Sequence, residues 1–554
     1  MMRIAGLYNW HDGGYAVLED GVVSEHIEFE RYTRVKESGG DSLQYLKENY
    51  LEKNNIGIED IDYFVSAYPD TNLAAGGGST FSTHETVPKD KITFYPHHLC
   101  HAAHAFFSSN FKDALILTID SEGLEDEGAV STCGWIASDT KINKEFSILG
   151  NQLSIGKLWG RCTRFIFKLS SGYPRGHQAG SVMAMAALGD PEKYYNEFFM
   201  MATKDFPYVS HTPPGYKRGV YVPPEEDVIH PYLDRFRKIA EESEQEKFNM
   251  AAALQKVSED ILFNLIKQMH AQTSAKGFNT KNICLAGGVS LNSVFAGKIV
   301  DNFKGVIDNV FIPPVPYDGG LSIGACQYHW HSVLGNPRDE EVFVSPYLGE
   351  QYTAEDVESA IQEEKNNIEI KRKVKVDQCV DLIVDNKIIS IFQGKSESGR
   401  RALGNRSILA NPISPDMKNL INEKVKHRQW YRPFAPSILE DHGEEWFENF
   451  FPSPYMSFVF KFKEDKFGKA PAVEHFDKSA RLQSVSRSQN KNYYNIIESF
   501  YEKTGVPILL NTSFNDREPI VENPKDAIKC FLSTDIDYLY FVEHEILISK
   551  ANLD

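Results

Sequence analysis

The chain has 554 residues, 42% of them hydrophobic and 25% charged, with a formal net charge of −18. That length suits roughly three or four ordinary domains or two large ones with sizeable cores, and the acidity disfavours a general nucleic-acid binder because a phosphate backbone is repelled at long range. No run approaches the roughly 18 apolar residues of a membrane span, and the seven scattered cysteines show no CxxC spacing, so a cytoplasmic protein with no membrane partner is expected.

Residues 2–30 alternate in polarity around Glu19-Asp20-Gly21, a β-hairpin signal. A polar helix follows at 41–55 and a strand at 61–68. After Pro96, residues 97–109 have helical spacing. The run ALILTID at 114–120 predicts a buried strand ending on an acid. A long amphipathic helix is predicted over 245–275. NICLAGGVSLNS and NVFIPPVPYDGGLSIG each read as strand, glycine turn and helix. This alternation predicts a mixed α/β protein with functional loops at the C-terminal ends of strands. Residues 205–225 read as a surface insertion. A polar stretch with scattered Pro and Gly at 335–352 places a domain boundary near 345, giving domains 1–345 and 346–554. No internal repeat is visible in the sequence.

The segment YPHHLCHAAHAF carries four histidines, His97, His98, His101 and His104. On a helix, residues four apart share a face, so His97 and His101 form the simplest ligand pair, with His104 three residues on in reserve. Two imidazoles leave a metal's sphere unfilled, and carboxylates complete such sets. Asp120 and Asp318 both sit at loop tips after apolar runs, where functional groups concentrate. Two His and two Asp suit Fe, Mn or Zn with open positions. The competing reading is a histidine cluster satisfied within the core.

Gly287 and Gly288 permit close backbone approach before a helix whose free N–H groups suit a phosphate or ribose. Further on, SGRRALGNRS and KVKHRQWYR concentrate cations in an otherwise acidic chain: Arg400, Arg401, Arg406, Lys426, Arg428 and Arg432, with Arg481 following. PILLNTSFN ends a strand on Asn511, Thr512 and Ser513. Arginine forks with amide and hydroxyl donors fit phosphate or carboxylate.

HHLCHAAHAF, LTID, LAGGVSLNS, VPYDGGLSIGA, GRRALGNRSILANP, VKHRQWYRPFAPSIL and PILLNTSFNDREPIV together resemble, in order and over nearly the whole chain, the O-carbamoyltransferases of the NodU/CmcH class. That resemblance implies an N-terminal domain of actin/sugar-kinase-like fold, similar to the tRNA threonylcarbamoyl-transfer protein, and a C-terminal YrdC-like α/β domain. It implies that the C-terminal domain takes carbamoyl phosphate and ATP, with Mg on the nucleotide, and forms carbamoyl adenylate and pyrophosphate. The N-terminal domain would then transfer the carbamoyl group from a metal-held intermediate, iron being the expected metal, to the hydroxyl of a small molecule. Carried over by motif, the metal ligands are His97, His101, Asp120 and Asp318. His11 would act on the acceptor hydroxyl. Arg401, Lys426, Arg432, Arg481, Asn511 and Ser513 bind carbamoyl phosphate and ATP, and Gly287, Gly288 and Asn292 approach the adenosine. A homodimer is compatible with this reading.

The chain departs from the family pattern at Ala179 and Ser181, where charged residues are common, and at Lys478, where glycine is common. Other acceptors within the same chemistry are a hydroxymethyl pyrimidine as nucleotide or in DNA, as in a phage-encoded enzyme. An actin-fold kinase or ATPase and a non-enzymatic metal-binding scaffold are the readings of other classes.

Overall fold

The computed structural model describes residues 1–68, 91–169, 178–214, 228–338 and 344–551. Contacts divide the chain into two compact units, Met1–Val344 and Ser345–Asp554.

The first unit opens with β1 (Arg3–Tyr8), β2 (Gly14–Glu19) and β3 (Val22–Glu28). Asp20 and Gly21 join β2 to β3 with φ of 46° and 92°, the two left-handed residues of a tight hairpin turn. β4 (Tyr63–Ala67) and β5 (Ile92–Tyr95) complete a sheet ordered β3-β2-β1-β4-β5. The first three strands are antiparallel; β4 and β5 run parallel to β1. β6 (Asp113–Glu125), β7 (Gly128–Ser138), β8 (Lys141–Leu149), β9 (Asn282–Ala286) and β10 (Asn309–Phe311) repeat that plan. Their order is β8-β7-β6-β9-β10, again three antiparallel strands followed by two parallel ones. The fold is therefore duplicated although the sequence shows no repeat, and this doubled strand order is the actin/sugar-kinase-like arrangement.

The helix His97–Phe107 lies on the second sheet and the helix Leu321–Tyr328 on the first, and the two helices pack against each other. Glycine permits that approach: a Cβ on Gly324 would stand 1.9 Å from the carbonyl oxygen of Cys100. Ala102, Ala105, Phe106, Ile116, Trp135 and Cys284 form one core between the histidine helix and its sheet. The predicted long helix is present as Glu244–Ala275. The predicted polar helix at 41–55 is shorter and changes winding within Ser42–Leu46 and Lys47–Leu51. The expected surface insertion is anchored at its start, where the helix Phe206–Ser210 buries Phe206 and Val209; residues 215–227 fall outside the described residues.

The second unit is one mixed sheet with helices, in agreement with a YrdC-like α/β domain. Its strands are β11 (Ile368–Arg372), β12 (Ile389–Phe392), β13 (Arg406–Ala410), β14 (Ala435–Leu439), β15 (Phe458–Lys461), β16 (Ser479–Val485), β17 (Ile508–Ser513), β18 (Tyr538–Phe541) and β19 (Ile546–Lys550). They are ordered β11-β19-β18-β12-β13-β17-β14-β16-β15. Cys379, Val380 and Ile383 of one helix and Ile496, Ile497 and Phe500 of another share a core with Ile389, Ile391 and Leu509 of the sheet.

Candidate functional site

The histidine helix starts at Pro96, whose missing N–H costs nothing in a first turn. One helical turn then sets the Nε2 atoms of His97 and His101 3.1 Å apart. Asp120 Oδ2 lies 3.8 Å from His97 Nε2 and 3.2 Å from His101 Nε2. Asp318 Oδ1 lies 3.6 and 3.5 Å from the same two nitrogens. All four side chains are buried, and one donor atom from each lies within 4.8 Å of the others. Donors about 2.1 Å from a shared ion stand about 3.0–3.4 Å from one another, so this cage has the size and donor chemistry for a divalent cation.

Asp120 does not end its strand as predicted. β6 runs on to Glu125, but its pairing with β9 stops at Thr118, and its register with β7 shifts between Ile119 and Gly123. β9 turns away at Gly287, whose φ is +87°; a Cβ there would lie 2.2 Å from the Ile119 carbonyl oxygen. The Gly288 N–H then donates to Asp120 Oδ2 at 3.2 Å and the Ser121 N–H to Oδ1 at 2.5 Å. Gly123 is needed too, because a Cβ there would sit 2.2 Å from the His97 ring. Burial works against charge on His101, but hydrogen bonds to Asp120 and Asp318 outweigh it and hold the imidazole up at about 9. Burial likewise opposes ionisation of Asp120, and the two histidines overcome it, keeping the carboxyl well below its usual range.

His98 and His104 face elsewhere. His98 makes ring contacts with Thr118 Oγ1 and the Val130 carbonyl oxygen, both at 2.9 Å. Burial, with the neighbouring histidines, pushes it down to about 3. His104 meets Ser108 Oγ at 3.2 Å and Gln327 Oε1 at 3.4 Å, and burial lowers it to about 3 as well. Both are neutral structural groups, and the reserve role open to His104 in the sequence is not taken up.

His11 follows β1 and lies at the rim of the cage. Its side chain is 33% exposed, with Nδ1 3.2 Å from Asp12 Oδ2 and Nε2 3.6 Å from Asp318 Oδ2. Tyr8, at the end of β1, donates to Asp318 Oδ2 at 3.1 Å. The sequence reading missed Tyr8; its place at a strand end three residues before His11 is the available signal. Gly287 and Gly288 stand beside Asp120, whereas the Asn292 side chain is occupied. Asn292 Oδ1 accepts from the Phe295 N–H at 3.1 Å, capping a helix, and Nδ2 donates to Gln255 at 2.9 Å. Ser181 is buried in the helix Ala179–Ala186.

In the second unit, strand register gathers the basic residues. Ser407 pairs with Ser513, Ala435 with Asn511 and Ser437 with Gln483. The loop before β13 with Arg401, the segment before β14 with Lys426 and Arg432, the start of β16 with Arg481, and the end of β17 with Ser513 thus meet at one end of the sheet. Lys426 Nζ donates to the Ser513 and Asn515 carbonyl oxygens at 2.6 and 2.7 Å. Burial, and then the charges of Arg401, Arg432 and Arg428, push Arg481 well below the usual arginine range. Its buried Nε has no hydrogen-bond partner among the described residues. A crowded group of guanidinium ions with an unmatched donor suits a multiply charged anion. Arg428 belongs to this group although it was left out of the predicted ligands. Asn511 donates to the Ala402 carbonyl oxygen, Ser437 Oγ and Gln483 Oε1 at 3.0–3.1 Å, so its amide also ties the arginine loop to the sheet.

Arg406, counted in the basic run, lies in the core instead. It donates to the Gln393 carbonyl oxygen at 2.6 Å and the Glu522 carbonyl oxygen at 3.2 Å, and its guanidinium lies 3.6 Å from the Phe392 ring centroid. Glu397 Oε1 accepts the N–H groups of Leu403, Asn405 and Arg406 at 2.8–3.1 Å. The unusual GRRALGNRS motif is therefore partly a folding device for the loop that presents Arg401.

Residues 71–327 match the family model described as carbamoyltransferase N-terminus, and residues 380–550 the one described as carbamoyltransferase C-terminus. The chain is 34% identical to nodulation protein NolNO of Sinorhizobium fredii, covering 96% of this chain and 78% of that protein. It is also 34% identical to nodulation protein NolO of Bradyrhizobium diazoefficiens, covering 80% and 77% respectively. Among solved structures, full-length HypF in its phosphate- and nucleotide-bound form matches 61% of this chain and 47% of that chain at 12% identity, with a TM-score of 0.34. With both family models matched and such relatives covered over most of their length, the chain belongs to the carbamoyltransferase family.

Proposed function

We propose that the protein is an ATP-dependent O-carbamoyltransferase in which the C-terminal unit makes carbamoyl adenylate and the N-terminal unit transfers the carbamoyl group to the hydroxyl of a small hydroxylated molecule. The observation that carries the proposal is the buried cage of His97, His101, Asp120 and Asp318 with His11 at its rim, in a chain of this family. The separate guanidinium cluster of the second unit supports the division of labour.

In the second unit, Arg401, Arg432 and Arg481 bind the phosphates of carbamoyl phosphate and of Mg-bound ATP. Water releases carbamate and phosphate from carbamoyl phosphate. A carbamate oxygen then forms a bond to the α-phosphorus of ATP and pyrophosphate leaves, giving carbamoyl adenylate. Fixed guanidinium charge stabilises the phosphate oxygens as charge shifts onto them. Adenylation gives a poor electrophile a good leaving group.

In the first unit, the donor set of His97, His101, Asp120 and Asp318 would hold Fe, Mn or Zn. Such a cation supplies Lewis acidity and neutralises phosphate charge. Gly287 packs against the Ile119 carbonyl oxygen so that Gly288 stands beside Asp120, where the adenylate would approach. His11 takes the proton of the acceptor hydroxyl as its oxygen bonds to the carbamoyl carbon, while Asp12 orients the ring through Nδ1. The bond from that carbon to the AMP oxygen breaks, and the electron pair leaves with AMP.

Incubation with ATP, carbamoyl phosphate and a panel of acceptors, spanning sugars and hydroxymethyl pyrimidine nucleotides, tests the proposal. Pyrophosphate, AMP and a product heavier by one carbamoyl group are expected. ADP in place of pyrophosphate would overturn it in favour of a kinase.

A further inference from the structure

Two of the most exposed aromatic side chains of the second unit belong to the segments that carry its guanidinium cluster. Trp430 is 50% exposed and Phe476 46% exposed, and their rings meet edge to face with centroids 5.5 Å apart. Trp430 lies in sequence between Arg428 and Arg432, and Phe476 lies in the loop leading into β16 and Arg481. Lys418 Nζ sits 4.7 Å from the Phe476 ring centroid, and Arg428 is near enough to help burial lower its pKa. Next to Phe476, His475 is 8% exposed, and its Nδ1 lies 3.3 Å from Asp477 Oδ1.

Exposed aromatics are costly unless something covers them, and these border a cluster of cations rather than an apolar face. A ligand matching both halves is anionic at one end and flat and aromatic at the other. We propose that Trp430 and Phe476 form the stacking wall for the purine base of the nucleotide whose phosphates bind Arg401, Arg432 and Arg481. The proposal rests on the adenylation reading above and adds the base-recognition residues to it. Stacking on an aromatic side chain is sequence-tolerant, so the wall favours a large ring over a small one rather than reading its edge.

The test compares ATP with inorganic tripolyphosphate, which carries the anion without the base, by calorimetric titration of the full chain. Wild type is expected to bind ATP more tightly than tripolyphosphate. Trp430→Ala with Phe476→Ala is expected to weaken ATP by about tenfold or more and leave tripolyphosphate unchanged, and Trp430→Phe is expected to restore most of the loss. Equal ATP affinity in wild type and the double variant would overturn the stacking wall. So would a change in oligomeric state with ATP affinity kept, which would mean that a protein surface covers the pair. Parallel loss of ATP and tripolyphosphate would also overturn it, as a disturbance of the arginines. Failure of the adenylation reading has a different signature: ATP binds, but wild type makes no pyrophosphate from carbamoyl phosphate.

Discussion

Nε2 of His97 and Nε2 of His101 face each other at 3.1 Å, one helical turn apart, with Asp120 and Asp318 within 3.8 Å of both. Four buried donors directed inward from a helix, from β6 and from the turn at Asp318 are spaced for one shared ion. His101→Ala is therefore expected to abolish stoichiometric metal, read by elemental analysis of the purified protein. Carbamoyl transfer should fall by at least about 100-fold. Full metal content in the variant would remove His101 from the ligand set.

His11 stands at the rim of the cage with its Nδ1 toward Asp12. His11→Ala is expected to lower transfer by about 100-fold to 10,000-fold, the usual range for a lost general base. Metal content should be unchanged, and so should pyrophosphate release. A variant with wild-type transfer would assign proton removal to another group.

The second unit is tested at Arg481, whose buried Nε lacks a partner among the described residues. Arg481→Ala is expected to reduce pyrophosphate formation by about 100-fold while metal in the first unit is retained. Arg481→Lys should recover little of it, since a point charge does not replace a planar fork. Substantial recovery with lysine would mean that charge alone is required there.

Glu28 offers a pH test that requires no substrate. It accepts a hydrogen bond from Tyr317 at 2.7 Å. Burial, with the charges of Glu30 and Asp12, raises its carboxyl from 4.5 to about 8. The folded protein thus keeps a proton that the unfolded chain releases from about 4.5 upward, so stability from this group is complete below 4.5 and lost as the pH rises through 8. Glu28→Gln keeps the shape and acceptor without the charge. It should be more stable than wild type at pH 8, by about 2–4 kcal/mol, with the difference vanishing near pH 4.5 in thermal melts. A Gln variant less stable than wild type at pH 8 would contradict a neutral Glu28.

The sequence made the histidine face legible because helical spacing alone pairs His97 with His101, and it marked Asp120 and Asp318 as acids after apolar runs. It could not show that β6 continues through Asp120, because that depends on where β9 stops pairing and turns at Gly287. The doubled sheet order was hidden for a related reason: the two sheets share connectivity and pairing direction but not side chains. Arg406 reads as one cation of the basic run in GRRALGNRS, and only the fold shows its guanidinium tied to backbone carbonyl oxygens. Arg428 reads as one basic residue among several until β14 and β16 bring it beside Arg432 and Arg481. Tyr8 was missed because nothing local links a strand-end tyrosine to an aspartate 310 residues away.

The central claim is that activation of the carbamoyl group and its transfer belong to separate sites. Pyrophosphate release from ATP and carbamoyl phosphate in Asp120→Asn, measured beside wild type without an acceptor, tests it most directly. The account predicts release at the wild-type rate from a variant that carbamoylates no acceptor. Release that falls as far as transfer does would contradict it, because Asp120 would then serve adenylation as well.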